Sequence, residues 1–108
     1  MQDIKAEKIR ESIRHIAAEF LSEVDEGTSL ITVTGVLLSP KTDQATILIT
    51  VLPEEKEKDA LTFTKRQTGH LRKRLGERLA IHHLPFLSFV IDRGEKNRQL
   101  IDRLSQSS

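Results

Sequence analysis

The chain has 108 residues, with 17 Lys and Arg against 16 Asp and Glu, and its formal net charge is +1. This length fits one small domain, and 37% hydrophobic with 31% charged residues is typical of neither a disordered nor a membrane-embedded chain. The absence of Cys excludes disulfide scaffolds, Cys-ligated zinc, iron–sulfur clusters and thiol catalysis, and without a leader-like or membrane-spanning apolar run we expect a cytoplasmic protein.

The first predicted element is an amphipathic helix from Asp3 to Val24. Its apolar residues recur mostly at three- and four-residue steps, as they do on one face of a helix. Gly27 follows and supplies the positive φ with which helices often end. The apolar residues that define this face are Ile4, Ile9, Ile13, Ile16, Ala17, Phe20, Leu21 and Val24.

Two strands are predicted next, at Ser29–Leu38 and Ala45–Leu52, because the period of the apolar residues changes to about two and β-branched residues dominate. The apolar phase of the first strand slips at Gly35, which predicts a β-bulge there. Residues 39–43 are rich in turn-forming side chains, so the two strands should form an antiparallel hairpin.

The second half of the chain predicts more helix than strand. Pro53 and two following glutamates open a second helix that runs towards Gly69. At Gly69 we expect a break, followed by a third helix or by the continuation of the second helix past a kink. Phe86–Ile91 is a third predicted strand. Glu95–Leu104 is a short closing helix with Leu100, Ile101 and Leu104 in phase, and residues 105–108 should be a frayed end.

This order, α-β-β-α-α-β with one appended helix, predicts an α+β fold. A hairpin followed by a helical crossover into another strand places the helices on one face of a three-stranded sheet. We expect a single domain over residues 1–104.

The near-neutral charge hides one basic segment. Residues 65–78 hold six Lys and Arg against one Glu, a net charge of +5. Such a helix can contact phosphates, although it can equally be a solvated face. A break at Gly69 would free backbone N–H groups to join the cationic patch. The RNA-binding candidates are Lys65, Arg66, Gly69, His70, Arg72, Lys73, Arg74 and Arg78.

Other chemistry finds little support. The four Phe residues sit in apolar patterns, so base stacking should be minor beside backbone contacts. His82 and His83 are adjacent and therefore point in different directions, which makes them poor metal co-ligands. The chain has no phosphate-binding glycine loop and no nucleophile elbow. We predict no enzyme, no metal and no cofactor.

The sequence resembles the ribosome-binding factor A family. The resemblance rests on Ile31–Pro40, Ala45–Leu52, Gly69–Arg72 and Leu84–Asp92, at matching spacings over nearly the whole chain. It implies a type II KH-like fold in which a helix-kink-helix built on Ala-x-Gly replaces the usual GxxG loop. Here that triplet is Gln67-Thr68-Gly69, so the Gly is kept and the Ala is not.

The resemblance implies a non-enzymatic assembly factor that binds the free small ribosomal subunit. It further implies a role in late maturation, in 5′-end processing of the subunit's rRNA and in growth in the cold. The expected partners are the small subunit with its rRNA and a ribosome-associated GTPase that releases the factor, with the chain itself a monomer. Gly69 and Arg72 match family positions; the other candidates rest on charge alone.

Two alternatives remain open at this stage. One is a free-standing KH-like module for other RNA or single-stranded DNA. The other is a protein-interaction domain that accepts a partner strand at an exposed sheet edge.

Overall fold

The computed structural model describes residues 4–106, with the side chains of residues 5–102. Its first helix, α1, spans Ile4–Glu23, close to the predicted range, whose first residue lies outside the described part. One face of α1 is buried, and Gly27 adopts a φ of 78° in the turn after it. The buried residues of α1 are Ile13, Ile16, Ala17, Phe20 and Leu21.

The predicted hairpin is confirmed. Strands β1 (Leu30–Leu38) and β2 (Gln44–Leu52) pair antiparallel, with a register shift between Val33 and Gly35 that leaves Thr34 as the extra residue of a bulge. The Ser39 hydroxyl accepts hydrogen bonds from two backbone N–H groups across the turn, at 3.1 and 3.0 Å. These bonds hold the connection between the strands.

One face of β2 forms the centre of the core. Its odd-numbered residues from 45 to 51 are all buried, whereas the residues between them are half-buried and lie on the opposite, more open face. This alternation follows from the two-residue period of a strand. Five large apolar side chains remain exposed on the strands, and their registers place them all on this open face: Leu30, Leu37, Leu52, Phe86 and Val90.

The predicted division into two helices at Gly69 is wrong. After a short 3₁₀ turn at Glu54–Lys56, a single helix α2 runs from Glu57 to Arg78 and contains Gly69. A glycine costs a helix about 1 kcal/mol relative to alanine. Buried residues on both sides, Thr64 before it and Leu71 after it, hold the two halves against the same sheet and outweigh that cost.

Strand β3 (Phe86–Ile91) pairs parallel with β2, so the sheet order is β1-β2-β3 with β2 in the centre. The crossover α2 connects β2 to β3, and the helix layer is formed by α1 and α2 on the buried face. The observed element order is therefore α-β-β-α-β-α, an α+β fold with one helix fewer in the crossover than predicted.

The last helix, α3, spans Arg93–Gln106 and begins two residues earlier than predicted. In its apolar stripe, Leu100 and Ile101 are 47% and 61% exposed, and the side chain of Leu104 lies outside the described part. The expectation that all helices pack on one face thus holds for α1 and α2 only. Of the predicted frayed end, residues 105–106 form the last part of α3, and residues 107–108 lie outside the described part.

Asp92 joins the end of β3 to both α3 and the β1 bulge. Its Oδ1 accepts a hydrogen bond from the Glu95 backbone N–H at 3.0 Å, which caps α3, and its Oδ2 accepts one from the Thr34 hydroxyl at 2.5 Å. The first bond, and then the second, lowers the pKa of the Asp92 carboxyl below its usual range. The bulge residue therefore helps to fix where α3 begins.

We expect Asp92→Ala to lower the free energy of unfolding by about 0.5–2 kcal/mol at pH 7, the usual cost of a lost N-cap. Because the folded pKa is lowered, the carboxylate stabilises the fold above its unfolded pKa of about 4, and this contribution is lost as the pH falls through the folded pKa. Urea unfolding at pH 7 and pH 3 measures both effects.

Asp92→Asn is the matched control, because an amide oxygen still caps the helix without the charge. An unchanged urea midpoint for Asp92→Ala at pH 7, or a difference from the native chain that grows as the pH falls, would contradict the assignment.

Candidate nucleic-acid interface

All eight predicted binding residues lie on α2, between its middle and its last residue. The fold brings them onto one helix but does not direct them to one face. Arg72 and Arg74 are half-buried on its flanks, and the other six positions are exposed. The candidates therefore differ in what surrounds them: four lie on the outward face, three contact other parts of the chain, and His70 lines a groove beside α1.

Four of the candidates form a surface that we call the outward face of α2: Lys65, Arg66, Gly69 and Lys73. Lys65, Gly69 and Lys73 follow one another at four-residue steps, so they lie in one row along the helix, with Arg66 beside it. Among the described residues none of the three cations forms an ion pair. A Cβ added at Gly69 would have no atom within 4 Å, so a ligand can approach the helix backbone closely between the cations.

Arg72 turns away from this face and holds the loop between α2 and β3. Its Nε donates to the Pro85 carbonyl at 3.1 Å, and its Nη2 donates to the Leu84 carbonyl at 3.0 Å. Its guanidinium lies over the Phe86 ring, 4.9 Å from the ring centre. A position that matches a family motif thus has a structural contact in this chain.

Arg74 and Arg78 bind the acidic side of α1. Arg74 Nη2 lies 2.9 Å from a Glu23 carboxylate oxygen, and Arg78 makes two bonds to Glu19 at 3.0 and 3.3 Å. These bonds raise the pKa of Arg74 and lower the pKa of Glu19. The order of the pairs, 19 with 78 and 23 with 74, shows that the two helices run antiparallel here.

Sequence reasoning missed these two pairs, although a signal was present. Two glutamates four residues apart on one helix match two arginines four residues apart on another, which is the spacing that antiparallel neighbours need. Without the packing of α1 beside α2, however, that match is one of many that a charged sequence offers.

A groove lies between α1 and α2 next to the outward face. It encloses about 410 Å³. The Arg74 guanidinium lies over the Phe20 ring at 5.5 Å from its centre, and His70 lies at the edge of the groove. We call this the interhelical groove; it is lined by Phe20, Val24, Gln67, His70, Lys73, Arg74 and Glu77.

Within residues 4–106 no group of three or more His, Cys, Asp or Glu side chains is placed to hold a metal ion. None of the helices described is both long and apolar enough to cross a membrane. His82 and His83 line a separate cavity of about 400 Å³ that also includes Lys41 from the hairpin turn.

The mixed sheet, its helical layer and the cationic outward face of α2 are typical of a small α+β domain that contacts nucleic acid through the phosphate backbone. The sequence model of ribosome-binding factor A matches residues 3–105. The chain therefore belongs to the ribosome-binding factor A family, which consists of non-enzymatic ribosome assembly factors.

Individual relatives agree with this assignment over nearly their full length. The chain is 31% identical to ribosome-binding factor A of Natranaerobius thermophilus, over 96% of this chain and 82% of that one. It is 34% identical to the protein of the same name from Aromatoleum aromaticum, over 93% and 84%. The family resemblance noted in the sequence is thus confirmed.

Solved structures show the same fold. The crystal structure of ribosome-binding factor A from Thermus thermophilus matches with a TM-score of 0.72 and 24% identity, over 80% of this chain and 94% of that one. A homology model of the Thermus thermophilus factor, fitted into the cryo-EM map of a complex with the 30S subunit, matches with a TM-score of 0.68 and 25% identity, over 78% and 91%.

Arg72→Met is expected to lower the free energy of unfolding by about 1.5–3 kcal/mol, because the substitution removes two hydrogen bonds from a charged donor to the loop before β3. Urea unfolding measures the change. Lys73→Met, the same substitution at an exposed neighbouring position without an ion pair, should stay within about 0.5 kcal/mol of the native chain. Equal losses for the two variants would remove the structural role of Arg72.

Proposed function

We propose that this chain binds the small ribosomal subunit through the outward face of α2. Family membership supports the partner, and the cryo-EM complex of the Thermus thermophilus relative with the 30S subunit is the direct precedent. The observation that supports this choice of surface is the row of cations around Gly69, which form no ion pair with any residue that the structure describes.

The physical argument is a difference between two sets of cations on one helix. Arg74 and Arg78 already have carboxylate partners, and Arg72 already has two carbonyl partners. Phosphates would have to replace these contacts. Lys65, Arg66 and Lys73 have only water to lose, so they can neutralise phosphates and release counterions at little cost.

Gly69 gives this face a second property. Because it adds no side chain, the backbone of α2 is accessible between Lys65 and Lys73, and the helix is easiest to bend there. We propose that α2 bends at Gly69 when the chain binds the subunit. The helix-kink-helix that the family resemblance implies then forms in the complex.

The proposed activity is that of an RNA-conformation factor. In the proposal, one type II KH-like domain, residues 1–104, acts as a monomer in the cytoplasm on free subunits late in maturation. There it supports 5′-end processing of the rRNA and growth in the cold. Such a factor needs only a different affinity for two states of the RNA. A ribosome-associated GTPase is the proposed release partner.

The charge-reversed variant Lys65→Glu/Arg66→Glu/Lys73→Glu should lose cosedimentation with free small subunits. In single variants at rising salt, each lost phosphate contact should reduce the slope of log affinity against log salt by about 0.7–0.9. The matched control reverses three exposed cations on other elements, Lys8, Lys41 and Arg93, and so changes the net charge equally.

Equal loss in the two triple variants would show that net charge, rather than this surface, determines binding. Equal affinity of the native chain for unrelated oligonucleotides and for subunits would favour the free-standing RNA or single-stranded DNA module. Binding to a protein partner alone, insensitive to salt, would favour the protein-interaction domain.

Gly69→Ala tests the proposed bend. The added Cβ meets no atom, so the variant should be about 0.5–1 kcal/mol more stable than the native chain in urea unfolding. Its affinity for the subunit should fall nevertheless, because the helix is stiffer and its backbone less accessible. A variant that is more stable and binds equally well would remove Gly69 from the interface.

A further inference from the structure

The interhelical groove is continuous with the proposed phosphate-binding face, since Lys73 belongs to both. Its volume of about 410 Å³ lies within the roughly 300–1,000 Å³ range of small-molecule pockets. The α1 side is formed by Phe20 and Val24, of which Phe20 is only 4% exposed. An RNA strand whose phosphates lie along α2 would therefore run beside this open groove.

Arg74 forms a flat wall of this groove. Its guanidinium is fixed by two contacts, the ion pair of 2.9 Å to Glu23 and the Phe20 ring at 5.5 Å from its centre. The side chain is 25% exposed, so part of it is open to a ligand. Guanidinium planes are surfaces on which unpaired bases stack in protein–RNA complexes, and the contacts of Arg74 hold it in place before any ligand arrives.

The polar residues of the groove match the edge of a base. Gln67 offers both a donor and an acceptor through its side-chain amide, and Glu77 offers a carboxylate acceptor for an exocyclic amine. The Glu77 carboxylate would also repel a phosphate from the groove itself. A base within a duplex is stacked between neighbours and paired, so only an unpaired base can present its face and edge here.

We propose that the interhelical groove receives one unpaired nucleobase of the bound RNA, stacked on the Arg74 guanidinium. The inference rests on the proposed function, because the phosphate contact at Lys73 brings the strand to the groove. In this proposal Arg74 does more than form an ion pair. Glu23, at the end of α1, holds its guanidinium as a surface on which the base stacks. The groove thereby makes binding depend on an unpaired nucleotide, whereas the outward face of α2 recognises charge alone.

The test uses Arg74→Lys, which keeps the charge and the reach to Glu23 but removes the flat guanidinium. Its affinity for free small subunits should fall at least about fivefold, the lower end of the range for one stacked base, with an unchanged salt slope. A single-stranded RNA oligonucleotide with one 2-aminopurine should gain fluorescence when the native chain is added at saturating concentration, because that base leaves the stack of its neighbours for the groove, and this gain should disappear in Arg74→Lys.

Two further variants separate stacking from folding and from charge. Gln67→Trp fills the groove without changing Arg74 and should also abolish the fluorescence gain. Lys73→Gln should reduce the salt slope but retain the fluorescence gain. Urea unfolding of each variant shows whether the fold is intact. If Arg74→Lys proves to be unfolded, Gln67→Trp decides whether the groove binds a base.

The proposal is overturned if the native chain gives no fluorescence gain at saturation, or if Gln67→Trp gives the same gain as the native chain. These outcomes differ from failure of the proposed function. If the groove is wrong but the surface is right, the charge-reversed triple variant still loses binding. If the surface is wrong, that variant binds normally whatever the groove variants do.

Discussion

The structure depends on the burial of one face of the central strand β2. Ala45, Ile47 and Ile49 are at most 1% exposed, and β2 is paired on both edges, so a helical layer has to cover it. That layer consists of α1 mainly over β1 and α2 mainly over β3. Because both helices cover one narrow sheet, they lie side by side, and every contact between α1 and α2 follows from this requirement.

The side-by-side helices decide what the basic residues can do. The acidic flank of α1 faces one flank of α2 and neutralises Arg74 and Arg78, while the loop before β3 takes Arg72. The net charge of +5 over residues 65–78 is therefore reduced in the folded chain to a narrow cationic row. A net charge of +1 for the whole chain agrees with this picture, since a focused row attracts phosphate without making the whole surface adhesive.

Local periodicity predicted most of the fold. The three strands and α1 were correct within about a residue or two, and the bulge next to Gly35 followed from a slip in phase. The division of α2 into two helices was wrong because tertiary burial of Thr64 and Leu71 outweighs a local glycine cost. In the candidate site, residue type identified the cations. Their ion pairs join residues that are 51 and 59 positions apart in the sequence, and such pairs could not be predicted before the packing of the helices was known.

The two parts of the proposed interface, the outward face of α2 and the interhelical groove, contribute to binding in different ways. A row of lysine and arginine side chains supplies affinity and depends steeply on salt, but it contacts every stretch of RNA backbone alike. A groove that accepts one unpaired base contributes only where the RNA leaves a nucleotide unstacked. A factor with both can prefer one conformation of a maturing subunit over another, and that difference in affinity is sufficient to shift the RNA between them. The acidic end of α1 is then part of this preference, because it fixes Arg74 as a wall of the groove instead of leaving it as one more cation for the backbone.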